Sequence, residues 1–173
     1  MLLEDVLAPR KNTQLECPIS HALDVVGDHW NMLIIRDLMI FGGVRRFDAL
    51  CDALEISRNI LTERLRKLVD KGIVVKRPVA EGGRRMEYRL TEKGWELMPL
   101  MLLLLQWCLE WEEGCDIHSY AFVDREKGEP ITAGNILAKD GRKLGKGDIR
   151  MIPQTDEASE YLMKYSAKSG EKK

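Results

Sequence analysis

The chain has 173 residues and a formal net charge of −1, with 45% hydrophobic and 32% charged residues. That length fits one domain with an appendage, and that hydrophobic content excludes a chain that is disordered throughout. The most apolar stretch, from Leu97 to Leu105, is far shorter than the roughly 20 residues that a membrane-spanning helix needs. No basic start followed by an apolar run marks a signal peptide. We therefore expect a cytoplasmic chain with reduced thiols and no membrane contact.

The charge is distributed unevenly along the chain. Residues 58–85 carry nine basic and three acidic side chains, a net charge of +6, which leaves −7 for the remainder. A basic segment inside an otherwise acidic chain indicates a local site for a polyanion. A solvated helix face beside a charged turn would have the same composition, so charge alone leaves both readings open.

The first half of the chain has the pattern of consecutive helices. After an arm of 16 residues, Pro18 suits a helix start, and Gly27 is expected to end that helix in a left-handed cap. Asp28 is expected to cap a second helix, which runs to Phe41 before a Gly-Gly pair. The stretch "VRRFDALCDALEI" then predicts a short third helix with an apolar stripe.

A fourth helix and a hairpin follow a tight connection. Ser57 is expected to cap a helix over residues 58–71, whose inward stripe consists of Leu61, Leu65, Leu68 and Val69. "IVVKRPV" and "RRMEYRL", separated by "AEGG", predict two antiparallel strands. Thr91 then caps a fifth helix from Glu92 to about Glu112, which Pro99 bends or restarts.

Beyond Gly114 the long apolar runs stop, and Gly, Asp and Lys become more frequent. "VDREKGEPI" and "AKDGRKLGK" share the outline of a strand, a charged Gly-containing turn and a strand. We expect two small hairpins there, then a short helix from about Asp156 and a basic tail. The predicted organisation is an arm over residues 1–16, a main domain over 17–113 and an appendage over 114–173.

The order of a helix, a tight turn, a second helix and a hairpin is that of a winged helix-turn-helix. The expected fold class is therefore mainly α with a small β-hairpin wing (α+β), plus a small C-terminal β-rich appendage. In that architecture the helix over residues 57–71 enters the major groove of DNA, and the wing over residues 80–85 meets the backbone or the minor groove. The residues expected to contact DNA are Arg45, Arg46, Ser57, Arg58, Asn59, Thr62, Arg66, Arg84 and Arg85.

These side chains have the chemistry that DNA requires. Arg58, Thr62 and Arg66 are spaced by four, so they line one exposed helical ridge. Arginine pairs bidentately with guanine, asparagine with adenine, and the threonine methyl meets thymine. The alternative is a winged-helix module for protein–protein interaction, with the β tail as its docking surface.

Residues from Cys17 to Trp111 resemble the HxlR-type winged helix-turn-helix transcriptional regulators. The resemblance is carried by "CPISHALDVVGDHW", by Arg46-Phe47, by Ile56-Ser57 and by "MEYRLTEKG". It implies a homodimer that binds an inverted-repeat operator. One departure is the wing tip, where the family often has a proline and this chain has "EGG".

The segment "WELMPLMLLLLQWCLEW" agrees with the implied dimer. A helix that is apolar nearly all round must be buried on more than one side, and a partner chain would cover one of them. Wrapping by the C-terminal appendage is the other explanation. The expected dimer contacts are Leu97, Leu100, Met101, Leu104, Trp107 and Trp111.

Cys17 is the candidate effector site. In the resembling family, some members with a cysteine at this position respond to oxidants, quinones or aldehydes. A cysteine before a helix start also has its thiolate stabilised by the helix dipole, whereas an inert buried thiol is the alternative.

The sequence does not indicate an enzyme, a metal site or a cofactor. It contains no P-loop, no G-x-S-x-G and no H-E-x-x-H, and its three histidines are scattered. Cys115 and His118 form one C-x2-H pair, but no second pair completes a zinc site. Cys51 and Cys108 lie on apolar stripes and are expected to be core thiols.

Overall fold

The computed structural model describes residues 17–80, 83, 85–112, 122–129, 131, 134, 136–145, 147–150, 152–156, 159–160 and 163. The described residues before Leu23 and from Ile136 onward form one compact unit, and those between them form another. The helices and strands, in chain order, are α1 (Pro18–Val26), α2 (His29–Ile40), β1 (Val44–Arg46), α3 (Phe47–Leu54), α4 (Arg58–Asp70), β2 (Val74–Pro78), β3 (Met86–Leu90), α5 (Glu92–Trp95) and α6 (Met98–Trp111). The predicted mainly α fold with a small hairpin is confirmed.

The core lies between α2, α3, α4 and the small sheet. Ile34 and Leu38 of α2, Leu50 of α3 and Leu61 of α4 have no exposed surface. Burying one such side chain contributes about 1.5–3 kcal/mol relative to leaving it in water. These contacts fix the rotation of α4 about its axis, and therefore decide which of its residues face outward.

The sheet has three antiparallel strands in the order β1-β3-β2. β2 and β3 form the predicted hairpin, with Val74 opposite Leu90 and Pro78 opposite Met86. β1 is not among the elements that the sequence predicts, because "VRRFDALCDALEI" has the apolar spacing of a helix. It forms by pairing with the free edge of β3, with Arg46 opposite Glu87. That pairing joins residues about 40 positions apart along the chain, and local periodicity does not report it.

The ends of α2 and α4 follow the predicted capping chemistry. Asp28 Oδ1 accepts hydrogen bonds from the backbone N–H groups of Trp30 (3.0 Å) and Asn31 (3.2 Å). Ser57 Oγ accepts from Ile60 N at 3.4 Å. Gly72 has a φ of +68° just beyond α4, and Ile73 N donates to Leu68 O at 2.9 Å. This is the glycine-dependent Schellman ending.

The predicted left-handed cap at Gly27 is wrong. Glycines in the left-handed region include Gly42, Gly43 and Gly72, but Gly27 is not among them. Its lack of a side chain matters for space, since a Cβ there would lie 2.5 Å from Leu23 O. Close approach to the preceding turn, and not backbone conformation, therefore favours glycine at this position.

The predicted fifth helix is divided in two, as Pro99 indicated. Thr91 Oγ1 accepts from Gly94 N at 3.1 Å and begins α5, which ends at Trp95. Pro99 lies in the first turn of α6, where the absence of an N–H donor is harmless. Gly94 is buried, and a Cβ there would overlap the Ile73 carbonyl oxygen, so only glycine lets α5 lie this close to the strand connection.

Two turns beyond α6 match the expected hairpin outlines. In the first, Asp124 N donates to Glu129 O at 2.8 Å and Ile131 N donates to Phe122 O at 3.0 Å. In the second, Ala138 N donates to Arg142 O at 2.8 Å, and Leu137 forms a bridge with Lys143. The expected arm over residues 1–16 lies outside the described residues.

Candidate nucleic-acid interface

One face of α4 is available to a ligand. Leu61, Leu65 and Leu68 are buried against the core, so the opposite side of the helix is turned outward. Arg58, Asn59, Thr62 and Arg66 are all exposed there, as their spacing predicted. Within the described part of the chain Arg66 makes no ion pair, whereas Thr62 Oγ1 donates to the Arg58 carbonyl at 2.8 Å.

Arg58, at the start of α4, is held by its neighbours. Its Nη1 donates to Asp48 Oδ1 at 2.7 Å. Its guanidinium carbon lies 4.9 Å from the centroid of the Phe47 ring. The hydrogen bond and the charge of Asp48 raise the pKa of Arg58 above its usual value. Arg58 is therefore fully charged and directed by two residues of α3.

Arg45 and Arg46 were predicted together as phosphate contacts, but their surroundings differ. Arg45 Nε donates to Asp37 Oδ2 at 3.2 Å, and its guanidinium stacks on Phe41 at 3.6 Å. Only 20% of the Arg45 side chain and 6% of that of Asp37 are exposed. Arg46 is exposed. Arg45 is thus engaged within the fold, and Arg46 is turned to solvent.

The wing continues the β2–β3 hairpin. Val79 N donates to Arg85 O at 2.8 Å, and Gly83 N donates to Ala80 O at 2.9 Å. Gly83 and Arg85 are exposed. Arg84, also predicted to contact DNA, lies outside the described residues.

A basic face of the sheet was missed by the sequence analysis. The strand register places Arg46, Glu87 and Arg77 side by side, and Arg89 two residues along β3 shares their face. The three arginines are exposed, and Arg89 Nε pairs with Glu87 at 2.5 Å. Alternation along "MEYRL" indicated which β3 residues share a face, but the contribution of Arg46 required β1.

The cysteines have different surroundings. Cys17 is a free thiol of intermediate exposure immediately before α1, and its carbonyl accepts from His21 N at 3.1 Å. Cys51 is also free, and burial raises its pKa although Arg58 acts in the opposite direction. Cys108 is disulfide-bonded, so the expectation of a reduced core thiol is wrong there. Cys115 and His118 lie outside the described residues.

α6 exposes an apolar surface. None of its residues is buried, and the exposed ones include Leu100, Leu103, Leu104, Trp107 and Trp111. The Trp107 and Trp111 residues are 54% and 68% exposed. Leu97 and Met101, by contrast, pack against the core cluster. One side of α6 therefore contacts the core, while Leu100, Leu103, Leu104, Trp107 and Trp111 are exposed.

The described ranges lack two other classes of site. No group of three or more histidine, cysteine, aspartate or glutamate side chains there is arranged to hold a metal ion. None of the helices described combines the length and the apolarity needed to cross a bilayer.

Comparisons with known proteins agree on one family. The HxlR-like helix-turn-helix model matches residues 25–115. The uncharacterised HTH-type transcriptional regulator Rv3095 of Mycobacterium tuberculosis is 37% identical over 136 residues, which are 71% of this chain and 85% of the relative.

Solved structures give the same fold. PA1607, a candidate transcription factor, is similar with a TM-score of 0.73 at 39% identity, covering 82% of this chain and 98% of that one. The reduced form of the transcriptional regulator YodB from B. subtilis is similar with a TM-score of 0.50 at 33% identity, covering 57% of this chain and 97% of that one.

Proposed function

Because the chain belongs to the HxlR-like helix-turn-helix family of transcriptional regulators, we propose that it is a dimeric regulator that binds a specific DNA sequence in the cytoplasm. The proposed target is double-stranded DNA with an inverted repeat. We propose no catalytic activity and no cofactor.

The observation that carries this proposal is the outward face of α4. An α-helix fits the major groove, and side chains near its N-terminus reach base edges. Arg58, Asn59, Thr62 and Arg66 supply donors, an acceptor and a methyl group on this face, while buried leucines hold the helix from behind. We assign base reading to these four residues.

Phosphate contacts are assigned to the basic residues around α4. Backbone N–H groups at the start of the helix, beside Ser57, suit a phosphate. Arg46, Arg77 and Arg89 supply positive charge from the sheet, and Arg84 and Arg85 do so from the wing. Arg45 is given a structural role because Asp37 and Phe41 already hold it.

Dimerisation is assigned to the uncovered side of α6. A second copy packed there would remove Leu100, Leu104, Trp107 and Trp111 from water, and such burial is the main favourable term in association. A two-fold axis would place two α4 helices about 34 Å apart, which is one turn of DNA.

A gel-shift or anisotropy titration with the DNA upstream of the gene tests the DNA-binding proposal. Removing the Arg66 contact with Arg66→Ala should weaken binding on the order of tenfold at fixed salt. Arg125→Ala, an exposed arginine in the first C-terminal turn, is the charge-matched control and should change affinity less than twofold. Equal effects of both substitutions would remove the assignment of α4 as the reading helix.

Salt dependence separates this function from a protein–protein module. Binding through phosphates should weaken with salt at a log–log slope of about −0.9 for each contact. A wild-type protein that binds the fragment without such a slope, or does not bind duplex DNA at all, would favour the module.

Cys17 is proposed as the thiol that an effector modifies. It is free and partly exposed at the start of α1, and the similar regulator YodB is one whose reduced form was solved. Treatment with diamide or an aldehyde should lower DNA affinity of the wild type and leave Cys17→Ser unaffected. If both proteins lose affinity equally, or neither does, Cys17 is not the sensor.

A further inference from the structure

An acidic side chain lies inside the surface proposed to face DNA. Asp48, in the first turn of α3, has a side chain that is 74% exposed. It contacts Arg58, one of the four α4 residues to which base reading is assigned. A carboxylate near phosphates opposes binding to any DNA sequence. Its position is therefore unfavourable for affinity alone and requires another explanation.

Asp48 and Phe47 together restrict Arg58. A long exposed arginine samples many rotamers, and ordering it on binding reduces affinity. Here the Asp48 carboxylate accepts from Nη1 on one side, and the Phe47 ring lies 4.9 Å from the guanidinium carbon on another. Phe47 is itself anchored, because it packs against the core and its ring lies 6.5 Å from that of Tyr88.

The hydrogen bond leaves the remaining donors of Arg58 available. A guanidinium has five N–H donors, and the bond to Asp48 uses Nη1. The edge formed by Nε and Nη2 can still pair bidentately with O6 and N7 of guanine. The negative charge of Asp48 also offsets the attraction of Arg58 to phosphates, so its binding depends on base hydrogen bonds.

We propose that Asp48 is a specificity-determining positioning residue, which directs Arg58 to a guanine and holds it away from the phosphate backbone. This inference rests on the proposed function, since it presupposes that α4 reads DNA. It assigns to α3 a part in base selection through a residue that touches no base itself.

Selection from a library of randomised duplexes, followed by sequencing of the bound DNA, tests the inference. Wild type and Arg58→Ala are compared first, and the base pair whose guanine preference disappears in Arg58→Ala is the one that Arg58 reads. Asp48→Ala should reduce that preference on the order of tenfold. Preferences elsewhere in the selected sequence should remain.

Two further variants separate orientation from charge. Asp52→Ala removes an equal charge from an exposed position one turn along α3, and should leave the guanine preference unchanged. Asp48→Asn keeps an oxygen acceptor without the charge, so it should retain part of the preference. For Asp48→Ala, binding to non-selected DNA should strengthen, with a log–log salt slope steeper by about 0.9 for one added phosphate contact.

The outcomes are distinguishable. If wild type selects a sequence and Asp48→Ala keeps the same guanine preference as Asp52→Ala, the inference is wrong and the proposed function stands. The inference is also wrong, and the proposed function also stands, if Arg58→Ala loses no base preference. If wild type selects no sequence, both fail. Circular dichroism melting of each variant checks folding, and a fully folded Asp48→Ala is expected because the ion pair is exposed.

Discussion

Arg45 and Arg46 are adjacent in the chain but lie on opposite faces of the sheet. Alternation along β1 turns Arg45 towards Asp37 of α2 and Arg46 towards solvent. Both residues are arginines, and nothing in the local sequence distinguishes their roles. Their roles differ because β1 pairs with β3, and because this pairing places Arg45 beside the buried carboxylate of Asp37.

Arg45→Ala should destabilise the fold. It leaves the Asp37 carboxylate largely buried without its partner, which should lower the free energy of unfolding by about 2–3 kcal/mol. Arg46→Ala is the neighbouring control, with an expected change below about 0.5 kcal/mol because its side chain is exposed. Urea unfolding measures both values. Similar losses for the two variants would contradict the structural role of Arg45.

At the scale of elements, α2 and α4 are joined by an ion pair between the start of α2 and the middle of α4, as well as through the core. Asp28 caps α2, and its Oδ1 also lies 3.0 Å from Arg64 Nε on α4. Since Arg64 lies on the flank of the reading helix, one carboxylate ties the start of α2 to α4. The sequence identifies Asp28 as a capping residue, but it does not identify Arg64 as a second partner of the same carboxylate.

Asp28→Ala should remove both the cap and the ion pair, lowering the free energy of unfolding by about 1–2 kcal/mol. Asp28→Asn should lose less, about 0.5 kcal/mol, because asparagine caps helices as well as aspartate does. Asp24→Ala, an exposed acid on α1, serves as control and should be near neutral. Equal unfolding midpoints for the alanine and asparagine variants of Asp28 would show that the cap contributes nothing.

For the whole molecule, the exposed side of α6 is the surface to which the proposed dimer contact is assigned. Large apolar side chains in one continuous surface typically mark an interaction site, whereas scattered ones need no explanation. Of the six expected dimer contacts, four share this exposed side, namely Leu100, Leu104, Trp107 and Trp111, whereas Leu97 and Met101 pack against the core.

Trp107→Lys should convert the proposed dimer to a monomer, since a charge placed in an apolar interface has no partner. Light scattering after size-exclusion chromatography measures the mass, and affinity for an inverted repeat should fall towards that for a half-site. Val123→Lys, at an exposed apolar position outside α6, should leave the mass unchanged. A wild type that is monomeric at micromolar concentration would overturn the assignment.

The sequence by itself determined the helices, the caps of α2, α4 and α5, the hairpin and the outward ridge of α4. Apolar periodicity and capping residues act over a few positions, so Leu61, Leu65 and Leu68 already specify the side of the helix that faces away from the core. Only the tertiary structure decided that β1 exists, that Arg45 and Arg46 differ, and that Asp48 holds Arg58. Each of these depends on residues from separate elements meeting in space, and the buried core that brings them together has no local signature.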